Sequence, residues 1–272
     1  RLSRDNSISC NSCHDTKAFG VDGEKFSIGF NNHLTGRNSP TSFNAFMHVA
    51  QFWDGRAPTV EEQAKGPILA GGEMAMPSAE AVVKKISGIN GYEALFKAAF
   101  PNSSPAITYD NVGKAIGAYE RLFVIPAKFD KLLAGDSSAL NEKEKRGLKK
   151  FVTSGCVTCH TGNLLGGNIY QKLGLVKPWP NQKDQGRFAI TKREQDKMFF
   201  KVPSLRNIEK TGPYFHDGSA EDLTQAVKVT ANHQLGREFS NEEISDIIAF
   251  LKTLTGTLKP SVAAAPKKFP GN

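Results

Sequence analysis

Cys10-Asn11-Ser12-Cys13-His14 and Cys156-Val157-Thr158-Cys159-His160 decide how this chain is read. Each is C-x-x-C-H, and together they use all four cysteines of the 272 residues. The spacing is that of covalent c-type haem attachment. Two thiols one helical turn apart can add to the two vinyl groups of one porphyrin, and the adjacent imidazole is then held beneath the iron as proximal ligand. A lone C-x-x-C would also suit a redox dithiol, a disulfide or half of a zinc site. A four-cysteine zinc site, however, brings its pairs closer than the 146 residues (156 minus 10) seen here and needs no His after each. The duplicated pattern implies two haems, attached at Cys10, Cys13, Cys156 and Cys159, with His14 and His160 as iron ligands.

The length corresponds to roughly two domains of about 150 residues. Hydrophobic residues make up 39% of the chain, thin for two self-sufficient cores. Eighteen Phe nevertheless exclude a disordered chain, and two porphyrins add apolar surface that a residue count does not see. The formal charge is +8. Four haem propionates would leave the loaded protein about four charges less basic, a balance that favours an acidic protein partner. No clustered basic and aromatic stripe suggests nucleic acid. No run approaches the roughly 18 apolar residues of a membrane span. Covalent haem attachment takes place outside the bacterial cytoplasm, so a periplasmic location is expected. Arg1-Leu2-Ser3-Arg4 opens no hydrophobic signal region, and a signal peptide is expected to have been removed or to lie outside this chain.

The spacing of apolar residues predicts helices joined by long Gly- and Pro-rich loops. Ser240 and Glu243 fit a capping box, with Ile244, Ile247, Ile248, Leu251 and Leu254 behind it at helical spacing and Gly256 as the stop. Asn141 and Glu144 start another helix, with Leu148, Phe151 and Val152 as its buried stripe. Val112, Ala115, Ile116, Tyr119, Leu122 and Phe123 mark a third. Strand-like alternation is scarce, so the fold class is mainly α: two cytochrome-c-like haem domains with long connecting loops. The segment from Ile125-Pro126 to Ser138 separates the two motifs, which puts the domains at 1–125 and 126–258. Residues 259–272, with three Pro and three consecutive Ala, read as a C-terminal strap or a frayed end. Two loops hold the most unusual residues: Phe52-Trp53-Asp54-Gly55-Arg56-Ala57-Pro58 and Thr211-Gly212-Pro213-Tyr214-Phe215-His216-Asp217-Gly218. A Trp is usually core packing with its N–H satisfied; in a chain with two haems it is also a candidate electron relay.

With these segments in order, the chain resembles the bacterial di-haem cytochrome c peroxidase family. The resemblance is carried by residues 10–14, Arg37-Asn38-Ser39-Pro40-Thr41, residues 51–57, Gln63-Ala64-Lys65-Gly66-Pro67, Glu73-Met74, residues 156–160, Gly186-Arg187-Phe188, residues 203–207, residues 213–218 and Gln234-Leu235-Gly236. It implies a periplasmic enzyme that reduces hydrogen peroxide to water with electrons from a small donor protein, a c-type cytochrome or a copper protein. The N-terminal haem would be the peroxidatic site and the C-terminal haem the point of electron entry. A calcium ion between the domains would be ligated by the side chain of Asn38 and the carbonyls of Thr211 and Pro213, an oxygen-only set suited to a hard cation. Trp53 would bridge the haems. Glu73 would be the catalytic carboxylate, with Gln63 lining its pocket. Splitting the O–O bond heterolytically requires a proton moved from one oxygen to the other, and one positioned carboxyl group can make both transfers. Members of the family are often homodimers, and the chain shows no interface signature of its own. Only nine residues precede Cys10, fewer than the resemblance leads one to expect.

The chain departs from the family pattern at two positions. Where the family has a distal His for the first haem, this sequence has Phe30, with His33 three residues later. Where the family has an axial Met for the second haem, it has Thr230, with His233 three residues later. His33 and His233 are the expected substitutes; the alternatives are a first iron that stays open and a second iron that is five-coordinate or ligated from elsewhere (Met47, Met76, Met198 or His48). Replacing thioether by imidazole at the second haem would lower its potential. Two other functions compete: a di-haem electron-transfer cytochrome without peroxidase activity, and a di-haem oxidase acting on a protein substrate. Glu73 and Gln63 argue against the first. The second would place a Tyr as axial ligand, and neither departure is a Tyr.

Overall fold

The computed structural model describes residues 2–260 and 270–271. Most of the expected strap at 259–272 therefore lies outside the described residues. The described chain is helical, with α1 (Cys10–Cys13), α2 (Val60–Leu69), α3 (Ala79–Ser87), α4 (Tyr92–Ala99), α5 (Tyr109–Glu120), α6 (Lys128–Leu133), α7 (Glu142–Thr153), α8 (Phe188–Thr191), α9 (Leu223–Leu235) and α10 (Asn241–Lys252). Two short strands, β1 (Tyr170–Lys172) and β2 (Phe199–Lys201), pair antiparallel with Tyr170 opposite Lys201. None of these helices is long and apolar enough to cross a membrane.

Most of the longer helices start where a short polar side chain replaces the missing hydrogen-bond acceptor. Thr59, Ser78, Thr108, Asn141, Asp222 and Ser240 each accept from a backbone N–H of the first turn, at about 1 kcal/mol per cap. The capping boxes at Asn141–Glu144 and Ser240–Glu243 are both formed. Among the described residues, the two largest buried clusters are separate. One gathers Ile68, Met74, Met76, Val82, Ile86, Phe96 and Val112. The other gathers Phe129, Phe151, Leu165, Leu205, Ile247, Phe250, Leu251 and Leu254. In the second, α7 lies so close to α10 that a Cβ on Gly147 would stand 1.8 Å from the carbonyl oxygen of Asp246. Arg146 clamps the same pair with a two-pronged bond to the Asp246 carboxylate, at 2.9 and 3.1 Å.

Several details differ from the sequence-based expectation. Phe151 is buried and Leu148 packs on the same core as expected, but Val152 is exposed, because α7 turns Gly147 inward in its place. The helix over 109–120 stops at Glu120, and its buried face is Asn111, Val112, Gly113 and Gly117. The two glycines let α2 approach: a Cβ on Gly113 would stand 2.7 Å from the Glu61 carbonyl oxygen. Tyr119 and Leu122 are left exposed. Gly256 does not stop α10, which is capped at Thr253; it forms an isolated bridge with Ala127 and donates its N–H to the Asn207 side chain. The segment 125–138 is not a simple linker, since it contains α6 and buries Phe129 in the second core.

Candidate haem cavities and the wall between them

Both C-x-x-C-H motifs sit on single turns. The first is α1, entered through Ser9, and the second is a 3-10 turn over Cys156–Thr158. The second is entered through Gly155 at φ +93, a left-handed conformation that glycine adopts without strain. All four cysteines are free of disulfides. The Nδ1 atoms of His14 and His160 lie 3.2 Å from the Gly20 carbonyl and 2.9 Å from the Leu165 carbonyl. A carbonyl only accepts, so each Nδ1 carries the hydrogen and each Nε2 keeps its lone pair. Burial holds both imidazoles below their ordinary pKa, hence neutral and able to ligate a metal.

Each histidine faces its own cavity. The N-terminal one, of about 550 Å³, is lined by His14, Gln63 and Glu73 among others. The C-terminal one, of about 260 Å³, is lined by Cys156, Cys159, His160 and apolar residues from α9 and α10. Asn38, Ser39, Pro40, Thr41, Phe52 and Trp53 line both. They form the wall between the cavities, and the Trp53 indole is part of it. Its N–H donates to the Asn38 carbonyl at 2.9 Å. The loop carrying Trp53 is closed by the bridge between Gln51 and Ala57, and it is held from the other half of the chain. Lys201 donates its backbone N–H to the Trp53 carbonyl at 2.7 Å, and the Arg187 side chain donates to the Asp54 carbonyl at 3.0 Å. Arg37 donates to Asp54 at 2.6 Å and to both oxygens of Asp184 at 2.6 and 2.8 Å.

In the N-terminal cavity, Glu73 follows Gly71-Gly72, and its backbone is fixed by bonds to Ala70 and from Phe30. Burial raises the pKa of its carboxyl, and the positive charge of Arg56 offsets part of that rise. Arg56 lies over the Phe52 ring and donates to Asp54. His33 is not brought into this cavity. It ends a tight hairpin in which Asn31 and Asn32 take left-handed conformations, and its exposed ring packs on Gly72. Phe30 lies under the Arg4 guanidinium and does not line the cavity either.

In the C-terminal cavity, α9 presents Ala226, Val227, Thr230, Ala231 and Gln234, one face of a 3.6-residue helix. His233 is not on that face. Its Nδ1 meets the Lys177 carbonyl at 3.0 Å and its ring packs edge-on against Trp179. Three polar residues of this cavity stand out: Lys201 and His216, to which sequence reasoning gave no role there, and His48, which it offered only as an alternative iron ligand. Lys201, 7% exposed and with no carboxylate partner among the described residues, donates to His48 Nδ1 at 3.0 Å. Burial lowers its pKa to about 8, and burial together with the Lys201 charge lowers that of His48 to about 3. His216, 2% exposed, has no hydrogen bond at either ring nitrogen and stacks on Phe200 with centroids 4.3 Å apart. A lysine inside the apolar run Phe199-Phe200-Lys201-Val202 was the signal available for the first of these. Buried groups wanting an anion or an acceptor, around an apolar cavity floored by two thiols and a neutral imidazole, fit a porphyrin with its two carboxylates.

Asn38, Thr211 and Pro213 all line the C-terminal cavity. The Asn38 side chain donates from Nδ2 to the Glu24 carbonyl at 2.9 Å, which leaves its amide oxygen for a cation. An amide oxygen with backbone carbonyls suits calcium. Among the described residues no cluster of three or more His, Cys, Asp or Glu forms a metal site.

Comparison with known proteins points to the di-haem peroxidases. Residues 1–138 match the family model for di-haem cytochrome c peroxidase, and residues 144–255 the model for cytochrome c. The sequence is 47% identical to a cytochrome c551 peroxidase of Nitrosomonas europaea, over 94% of this chain and 76% of that protein. It is 43% identical to a cytochrome c551 peroxidase of Pseudomonas aeruginosa, over 94% and 75%. The crystal structure of a MauG-like protein associated with microbial copper homeostasis superposes with a TM-score of 0.84 at 28% identity, covering 97% of this chain and 87% of that one.

Proposed function

This chain belongs to the di-haem cytochrome c peroxidase family, and from that premise we propose how its residues divide the work of peroxide reduction. A small periplasmic redox protein, a c-type cytochrome or a copper protein, delivers electrons on the C-terminal side; they cross to the N-terminal cavity, where hydrogen peroxide is reduced. Each peroxide takes up two electrons and two protons and leaves as two waters. The haems, once attached through Cys10, Cys13, Cys156 and Cys159 and ligated by His14 and His160, supply the redox-active iron.

The observation that carries this reading is the shared wall. Trp53 lines both cavities, its indole N–H is fixed by Asn38, and its loop is anchored from both halves of the chain. It is therefore the bridge between the two sites. Asn38 has a second task. Its side-chain oxygen, with the carbonyls of Thr211 and Pro213, would hold calcium, so the cation stiffens the same residue that fixes the indole.

Glu73 performs the proton chemistry. Ionised, it accepts the proton of one peroxide oxygen and returns it to the other, which departs as water. Gln63, whose side chain neutralises nothing and can both donate and accept, orients the peroxide. Because burial raises the pKa of Glu73, turnover is present above that pKa and is lost as the pH falls through it. Glu73→Gln in the loaded protein is expected to leave both haem spectra intact while reducing peroxide turnover by about a hundredfold or more. Unchanged turnover would remove Glu73 from the mechanism.

A further inference from the structure

We propose that the C-terminal cavity is a second binding site for small exogenous ligands, open at the Thr230 face of α9. The inference rests on that cavity holding a haem, not on the direction of electron flow. Once His160 ligates the iron from one side, the other side is closed only if another strong donor reaches it, and the described residues that line the cavity supply none in a position to do so.

Among the described residues no methionine lines the cavity. Met74 and Met76 are buried in the N-terminal core, Met198 packs with Trp179 and Phe200, and Met47 is 41% exposed. Among the described residues the one tyrosine lining the cavity, Tyr214, spends its hydroxyl on the Ile208 carbonyl at 2.8 Å. His48 is tied through Nδ1 to Lys201; its Nε2 is buried without a hydrogen-bond partner, but the ring packs on Gly167, two residues beyond the Leu165 carbonyl that holds His160, and so stands on the His160 side. His216, whose ring nitrogens have no hydrogen-bond partner, is stacked on Phe200 and edge-on to Trp53, the indole of the wall between the cavities. His233 would have to leave both Trp179 and the Lys177 carbonyl and come from the flank of α9 rather than its cavity face.

What α9 does present is Thr230, with Ala226, Val227 and Ala231 around it. A neutral hydroxyl is a poor iron ligand, but that of Thr230 has no hydrogen-bond partner among the described residues and can donate to a ligand bound there. Small side chains around a free donor suit a guest of a few atoms. The class is small anions and neutral diatomics, with water or hydroxide as the resting occupant.

The test is titration of the oxidised, fully loaded protein with azide, followed by optical and paramagnetic resonance spectra. The wild-type C-terminal haem is expected to bind azide, and His233→Ala to titrate like the wild type. Thr230→Met should abolish that binding event and bring up a thioether-to-iron charge-transfer band. A wild-type C-terminal haem that is low-spin and does not take up azide would overturn the proposal, as would one that opens only in His233→Ala. These two proteins decide the matter even if Thr230→Met fails to fold. Peroxide turnover with a reduced donor is measured separately, so a failed peroxidase reading would not be mistaken for a closed second haem.

Discussion

Glu120 shows how one side chain can carry a pH dependence that its type does not announce. It lines the N-terminal cavity, and burial first, then the Glu61 charge, pushes its pKa from 4.5 to about 7, with Arg121 pulling the other way. A folded-state pKa above the unfolded value means that the folded chain holds the proton more tightly, so stability falls as the pH rises between 4.5 and about 7. Glu120→Gln should raise the thermal midpoint above that window, and the gap to the wild type should close below it. A gap of equal size on both sides would rule out ionisation as the cause. At this scale the sequence was most informative where chemistry fixes spacing: the cysteines and their histidines could be named from ten residues in all. Lys201 and His216 could not, because a sequence does not say which polar groups folding strips of partners.

Elements turn spacing into direction, and α9 is the instructive case. Thr230 and His233 stand three residues apart, yet only the first belongs to the face that borders the cavity. The substitution pattern alone made His233 the natural replacement for an axial ligand; the helix and the hold of Trp179 point it elsewhere. The same lesson holds for α7, where apolar spacing suggested Val152 but close approach to α10 made Gly147 the inward residue. Gly147→Ala should cost about 1–3 kcal/mol, the usual range for overpacking, because its Cβ meets backbone and not a flexible side-chain tip. Denaturant unfolding of the loaded protein measures it. A loss under a few tenths of a kcal/mol would mean that α7 and α10 slide apart at little cost.

The whole molecule is two haem cavities that share a wall, and the wall is built from residues far apart in sequence. Arg37 reaches Asp184 across 147 positions, and Trp53 is held by the backbone of Lys201. Capping boxes and apolar periodicity are local signals, which is why the helices were legible and this junction was not. The central claim is that the cavities divide the work and that Trp53 connects them. Rapid mixing of the fully reduced, loaded protein with hydrogen peroxide, with each haem followed separately in wild type and Trp53→Phe, tests it most directly. The N-terminal haem should be oxidised first and the C-terminal haem in a distinct later phase that Trp53→Phe slows. Oxidation of the C-terminal haem first, or a later phase of unchanged rate in the variant, would contradict the account.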